Sequence, residues 1–352
     1  MPTDAVIVSV ADYPRSNRLL RALPGAARDS LRMHKWLESS AKGVTIKDFS
    51  WPPAPPALPV APTAGEAEIE PWNRLNIEAT MQQLLASGLH KTRERLFFYA
   101  SAHGLSAPAS PAMPAVYCAS HWSTLPDLFL ASGWVPQFTA APAYDEYLCF
   151  FDCCNEWQPG TLPVFQPMNL PPRPAPPRVL VVAACKPGQQ ALDTPTGGVF
   201  TDVLLEAMSG SAGTPGTPQV TAADVVAYLK ENVPIRADQV KPGHVQTPVE
   251  WLDPNAHVDP SQFVLFERKP VVDANVTALL AGRDPVQVEV LDAELESAGT
   301  VQLGASAGTA VLPSLFAGKY VLRSKADGWK QAIRLKTAVA NDGSVVGRAE
   351  AL

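Results

Sequence analysis

The sequence lacks any apolar run of the roughly 18 residues that a membrane-spanning helix requires. Its opening, MPTDAVIVSVADY, has no basic leader followed by a long apolar stretch and a small-residue cleavage site, so it does not read as an export signal. A cytoplasmic protein with no membrane partner is the resulting expectation. Charge is sparse too. Charged residues make up 18% of the chain, the net charge is −6, and no stripe of Lys and Arg tracks a phosphate backbone, which argues against nucleic acid as a partner. Cysteines are few and odd in number: Cys118, Cys149, Cys153, Cys154 and Cys185. In a chain without an export signal they read as free thiols, not as a disulfide framework. Cys153 and Cys154 are adjacent instead of spaced by two residues, and no second Cys or His pair answers them, so no metal site is expected. Asp145-Glu146 lacks the further oxygen ligands that calcium would need. The expectation is no cofactor, with calcium activation left unsupported.

What the chain has in quantity is apolar residue, 46% over 352 positions, enough for a large core and for more than one domain. It also has 36 prolines in clusters. The densest, WPPAPPALPVAP over 51–62, cannot supply the donors of a helix or a central strand and is predicted as an extended surface loop. Elsewhere unbroken β-branched and aromatic runs alternate with helical spacing. Ala5 to Val10 (AVIVSV), Val44 to Phe49, Leu96 to Ser101 (LFFYAS), Tyr147 to Asp152 (YLCFFD) and Val179 to Ala184 (VLVVAA) read as strands, most of them buried on both faces. Helices are predicted over Gly25 to Leu37, with Ala27, Leu31, Met33 or His34 and Leu37 inward. Others are expected over Trp72 to Leu89 around Leu75, Ile77, Met81, Leu84 and Leu85, over Gly198 to Met208 and over Ala222 to Glu231. This alternation defines an α/β fold, a three-layer sandwich on a mainly parallel sheet. Beyond Pro270 the pattern shifts to short alternating runs (Val286 to Val290, Ala310 to Leu312, Lys319 to Ser324, Ala332 to Lys336) between Gly, Asp and Asn turns, as in a small C-terminal β-sandwich. The domains are therefore placed at 1–268 and 269–352.

Two strands end abruptly in reactive groups, Ser101-Ala102-His103-Gly104 and Asp152-Cys153-Cys154-Asn155. In parallel sheets such residues collect at the carboxyl ends of the strands. A thiol becomes a useful nucleophile when an imidazole takes its proton, and neighbouring strands bring the two together in space. Alone, His103 is an ordinary strand-end histidine and Cys154 a small buried hydrophobe; the paired placement is what points to chemistry. Cys118 and Cys185 read as core residues, and His121, His244 and His257 carry no role.

At these residues the chain resembles the caspase-like clan of cysteine peptidases, and its metacaspase and bacterial branch more than animal caspases. LFFYASAHG resembles the family strand ending in a His-Gly pair, and CFFDCCNEW the strand ending in an Asp-x-Cys motif. His103 and Cys154 lie 51 positions apart, against about 50 in caspases. LPGAARDSLRMHKWL, ACKPGQQALDTPTGGVFTDVLLEAM and HVQTPVEW extend the likeness over about residues 3 to 268 in the right order. At two places the chain departs from the family pattern: Ala102 stands where a Gly is usual, and Asn155-Glu156-Trp157 where His-Ser-Gly is usual.

The resemblance implies an endopeptidase with Cys154 as nucleophile and His103 as general acid/base, Cys153 being a neighbour. The backbone N–H groups of Gly104 and Cys154 would form the oxyanion hole. Asp152 would form an acidic wall of the specificity pocket and Asp29 a second one; read without the family, Asp152 caps a turn and Asp29 is a solvated helix residue. Carboxylates there recruit a cation, so the expected partner is a protein or peptide with Arg, or less often Lys, before the scissile bond. The loop NEWQPGTLPVFQPMNLPPRPAPPR offers only Arg173, followed by Pro174, and Arg178, abutting a strand, which predicts activity without self-cutting there. The C-terminal domain has no titratable cluster, so partner binding or spacing is its default role. A role in bacterial regulated proteolysis or defence is a further implication of the likeness. A degenerate, non-catalytic scaffold is the alternative from another class.

Overall fold

The computed structural model describes residues 2–14, 20–40, 43–51, 73–87, 94–106, 113–120, 127–141, 143–156, 176–213, 217–252, 259–267, 287–291, 297–302, 315–326, 328–339 and 345–352. Most of the proline-rich stretch, His121, His257, Arg173, Trp157 and the Ala310 to Leu312 run lie outside the described residues. The chain forms two compact units, Met1–Asp202 with Lys230–Val258, and Val203–Leu229 with Asp259–Leu352.

In chain order the elements up to residue 252 are β1 (Thr3–Val10), α1 (Pro24–Ser40), β2 (Thr45–Trp51), α2 (Arg74–Ser87), β3 (Arg95–Ser101), β4 (Gly104–Leu105), β5 (Ala115–Tyr117), β6 (Leu128–Leu130), α3 (Ala131–Ala140), β7 (Glu146–Asp152), β8 (Arg178–Ala183), β9 (Asp193–Thr194), β10 (Gly197–Gly198), α4 (Val199–Glu206), β11 (Gln219–Thr221), α5 (Ala222–Val240) and β12 (Val249–Leu252). The first unit is built on a six-stranded sheet of order β12-β8-β7-β3-β1-β2. Five strands run parallel, and β12 closes one edge antiparallel to β8. Every residue of β1 and of β7 is buried, so both faces of the sheet are covered, as unbroken apolar runs in a parallel sheet require. Aromatic rings pack across neighbouring strands, with Phe98 and Phe151 5.6 Å apart and Phe97 and Phe150 5.5 Å apart.

The helices form where the spacing predicts, but α1 turns a different face inward and α2 leaves one expected core residue outside. In α1 the buried set is Gly25, Ala26, Asp29, Ser30, Met33, Trp36 and Leu37, a 3.6-residue stripe, while Leu31 is 37% exposed. The helix is rotated so that Asp29, a polar residue, points inward. In α2 Ile77, Met81 and Leu85 are buried and Leu75 is 64% exposed.

The sheet register positions the reactive ends. Ser9, Ser101 and Asp152 lie level across β1, β3 and β7. His103 and Cys154 therefore each sit two residues beyond the same level on adjacent strands. At the opposite end, the buried Glu146 carboxylate is paired with both Arg95 and Arg178.

In the second unit, β13 (Val264–Glu267) pairs with β11 in a two-stranded antiparallel ribbon. A separate antiparallel sheet of five contains β14 (Gln287–Leu291), β15 (Ser297–Gln302), β16 (Gly318–Ser324), β17 (Lys330–Val339) and β18 (Val345–Ala351). Its order is β15-β14-β16-β17-β18. Val288 and Val290, Tyr320 and Leu322, and Ile333 and Leu335 are buried, the period of two that one covered face demands. Among the described residues this is one sheet; the second layer of the expected sandwich is not among them.

Candidate active site

The ends of β3 and β7 meet in one cleft. The Ala102 N–H donates to the Asp152 carbonyl oxygen at 3.3 Å, carrying the strand pairing one step past β3. Arg21, His103, Asp152, Cys154, Asp193 and Gly198 are among the residues that line the cleft. Of the two adjacent thiols Cys153 is buried, whereas Cys154 is half-buried. Both line the cleft with His103, and Cys154 is the more accessible of the two.

His103 is held at three points. Its backbone N–H donates to Tyr13 Oη at 2.8 Å, its ring lies 5.2 Å from the Tyr13 ring, and its Nε2 lies 2.8 Å from the Arg21 carbonyl oxygen. A carbonyl only accepts, so the proton is assigned to Nε2 and the lone pair to Nδ1. Burial pushes the imidazole below its ordinary value, opposed in part by the Arg21 carbonyl. Burial also pushes the Cys154 thiol upward, and its Sγ–H is directed at the Ala191 carbonyl, 3.9 Å away. Both shifts favour the neutral forms of the two groups. Among the described residues no hydrogen bond joins them. The arrangement suits a base that takes the thiol proton at Nδ1 once Sγ turns from Ala191, since catalytic hydrogen bonds are often long until substrate is bound.

Two features fit stabilisation of a developing oxyanion. The Cys154 N–H has no hydrogen-bond partner among the described residues. Gly104 packs so closely on the end of the β7 chain that an added Cβ would lie 2.7 Å from both Cys153 Sγ and the Cys154 carbonyl oxygen. Only glycine allows this approach.

The carboxylates converge on Gly198. Asp152 Oδ2 accepts from the Thr201 N–H at 3.1 Å and from Thr201 Oγ1 at 2.6 Å, and Asp29 Oδ2 accepts from the Gly198 N–H at 2.7 Å. A Cβ on Gly198 would lie 2.2 Å from Asp152 Oδ2 and 3.0 Å from Asp29 Oδ2. Burial pushes Asp152 up to about 7, against the Thr201 hydrogen bonds and with help from the charges of Asp193 and Asp202. Burial and then the Asp152 charge push Asp29 well above the usual carboxylate range. Asp29 itself is fully buried behind Gly198. Arg32 lies 3.6 Å from Asp29 Oδ1 and pairs closely with Asp202. The second carboxylate that lines the cleft is Asp193, which accepts from the Gly25 N–H at 3.3 Å.

Of the departure after Cys154, Asn155 and Glu156 are among the described residues, and both are hydrogen-bonded. Asn155 is buried; its Oδ1 accepts from Ser106 Oγ at 2.8 Å and its Nδ2 donates to the Cys185 carbonyl oxygen at 3.1 Å. Glu156 bridges to Leu105 and accepts from Gln190 Nε2 at 2.7 Å. Cys118 and Cys185 are buried, and His244 Nε2 meets the Gln190 carbonyl at 2.9 Å. Among the described residues no group of three or more His, Cys, Asp or Glu side chains could hold a metal ion. Sequence reasoning missed Tyr13, the Arg21 carbonyl, Asp193, Thr201 and the bonding of Asn155. Asp193 and Thr201 stand inside a stretch whose family likeness was plain, which was the available signal; a backbone carbonyl gives none.

Comparison with known proteins agrees with this geometry at the level of family. The caspase domain matches residues 4–250, well over half of the chain. The protein belongs to the caspase-domain family of cysteine peptidases, hydrolases of the caspase type. Among solved structures it is similar to a Geobacter sulfurreducens protein at 12% identity, covering 76% of this chain and 98% of that one, with a TM-score of 0.47. It is also similar to caspase-1 from Spodoptera frugiperda at 15% identity, covering 75% and 88%, with a TM-score of 0.46. A comparison with curated proteins gives no match.

Proposed function

We propose that this protein is a cysteine endopeptidase that cleaves after Arg, and less readily after Lys, through an acyl-enzyme at Cys154. The observation that carries the reading is the shared cleft: a half-buried thiol, an imidazole with a free Nδ1 and the Asp152 carboxylate line the same space. His103 takes the thiol proton as sulfur attacks the scissile carbonyl carbon, then gives it to the leaving amine; water, deprotonated by the same imidazole, releases the acid. Gly104 and Cys154 N–H groups are proposed to hold the oxyanion. Asp152 binds the substrate cation, with Asp29 supporting it through Gly198. Residues 1–268 act as the peptidase domain and 269–352 as an accessory domain that binds a partner protein, in a cytoplasmic pathway of regulated bacterial proteolysis or defence, with no metal or cofactor needed.

Peptides ending in Arg, Lys or Asp before a reporter group test the reading. Release from Arg, less from Lys, none from Asp, and none at all with Cys154→Ala is the expected pattern. Preference for Asp rejects it. The absence of a resting His103–Cys154 hydrogen bond among the described residues favours a second reading, a non-catalytic scaffold. That reading predicts no release from any of the three peptides, with Cys154→Ala indistinguishable from the parent.

A further inference from the structure

Asp152 Oδ2 takes both of its hydrogen bonds from one residue, through the Thr201 N–H and the Thr201 hydroxyl. Tyr99 Oη lies 2.6 Å from that same hydroxyl oxygen. A threonine hydroxyl has one proton. While Asp152 is ionised that proton is committed to it, so Tyr99 is the donor in the other pair and the chain runs from Tyr99 to Thr201 to Asp152. Tyr99 and Thr201 are fully buried and Asp152 is 6% exposed. Asp152 Oδ1, in contrast, accepts no hydrogen bond among the described residues, and the residue lines the cleft. One carboxylate oxygen is anchored from behind and the other is left for a ligand.

We infer that Thr201, backed by Tyr99, is a positioning residue that sets whether Asp152 offers the cleft a charged oxygen, and with it whether the cleft takes a guanidinium or an uncharged side chain. The inference rests on the peptidase reading above and names the control of its specificity. The groups facing Asp152 make such control necessary. Asp29 and Arg32 approach from α1, Asp193 from β9, Asp202 from α4 and Tyr99 from β3, with Cys153 and Cys154 following it on its own chain. Carboxylates outnumber the guanidiniums: Arg32 is paired with Asp202, and Arg21, which lines the same cleft, acts on Asp193. Burial and these like charges favour protonated Asp152, whereas donors aimed at the ionised form favour the anion. Thr201 supplies both donors, and Tyr99 polarises the stronger one. The balance of the two falls near neutrality, at about 7.

The test is calorimetric titration of agmatine, which carries a guanidinium, into the full chain bearing Cys154→Ala, from pH 5.5 to 8.5. Binding by this parent is expected to tighten as pH rises through about 7, and Asp152→Asn to abolish the pH dependence. Thr201→Val keeps the shape and the N–H bond but loses the hydroxyl. It is expected to move the tightening upward by about one pH unit, weakening binding about fivefold at pH 7 and little at pH 8.5. Thr201→Ser should restore the parent curve, and Tyr99→Phe should shift it in the same direction by less. A Thr201→Val curve that overlays the parent, or a loss equal at every pH and not restored by Ser, overturns the inference alone. No agmatine binding by the parent at any pH overturns the cation-specific reading and the inference with it.

Discussion

Replacing Asp152 with Asn should make the protein more stable at pH 8 while removing its affinity for a cationic substrate. The carboxyl is 6% exposed, and burial pushes it up to about 7 from an ordinary 3.8. An unfolded chain gives up this proton near pH 4, whereas the folded chain keeps it until about 7. Between those values the folded state binds more protons than the unfolded state, so this group's contribution to stability falls as pH rises. At about 1.4 kcal/mol per pH unit the interval amounts to about 4 kcal/mol, an upper figure because Asp29 shares the site. Asparagine keeps the shape, and its carbonyl oxygen can still accept from the Thr201 N–H and hydroxyl. It carries no charge to desolvate. Scanning calorimetry of the two proteins at pH 4.5, 6, 7 and 8 reads the difference directly. The advantage of Asp152→Asn over wild type should grow steadily from pH 4.5 to 7.5 and then level off. A difference between the two proteins that stays constant with pH would refute the reasoning, because it would mean that the buried carboxyl ionises as it does in water.

Three further outcomes follow from the same geometry. The rate of Cys154 alkylation by iodoacetamide should keep rising above pH 8, because burial raises the thiol; a plateau below pH 7 would mean a preformed thiolate–imidazolium pair. Gly198→Ala places a Cβ 2.2 Å from Asp152 Oδ2 and should cost about 1–3 kcal/mol in a denaturant titration; an unchanged midpoint would contradict the close approach. Glu146→Gln leaves Arg95 and Arg178 facing a neutral partner at the far end of the sheet, and should lower stability by about 3 kcal/mol while leaving the pH dependence of agmatine binding in place; an unchanged melting temperature would show that the triad contributes nothing.

Much of the fold was legible because the sheet strands are nearly pure apolar runs. AVIVSV, LFFYAS, YLCFFD and VLVVAA each end within a residue or two of where β1, β3, β7 and β8 end. A strand buried on both faces has no alternation to misread. The helices were harder. In α1 the inward face carries Asp29 and Ser30 in place of Leu31, because a helix beside a polar site follows the site as well as the core. α3 was missed: Gly133 and Pro136 break the pattern of ASGWVPQFTA, yet tertiary packing around Trp134 and Phe138 holds it. α5 runs on through Pro234 to Val240, nine residues past the expected end at Glu231. The strands β4, β5 and β6 are two or three residues long, too short for any period to register. At the site, reactive side chains were visible from the abrupt ends of two strands. What holds them was not, since the Arg21 carbonyl is backbone and Thr201 meets Asp152 only across 49 positions of sequence.

The central claim is that an imidazole and a thiol from neighbouring strand ends work as one unit beside an acidic wall. The most direct measurement is mass-spectrometric mapping after treatment with a peptidyl-Arg compound bearing a thiol-reactive group. The account predicts a single adduct on Cys154 that is lost in His103→Ala and much reduced in Asp152→Asn. Labelling spread over Cys153 or Cys185, or labelling of Cys154 that is indifferent to both substitutions, would contradict it.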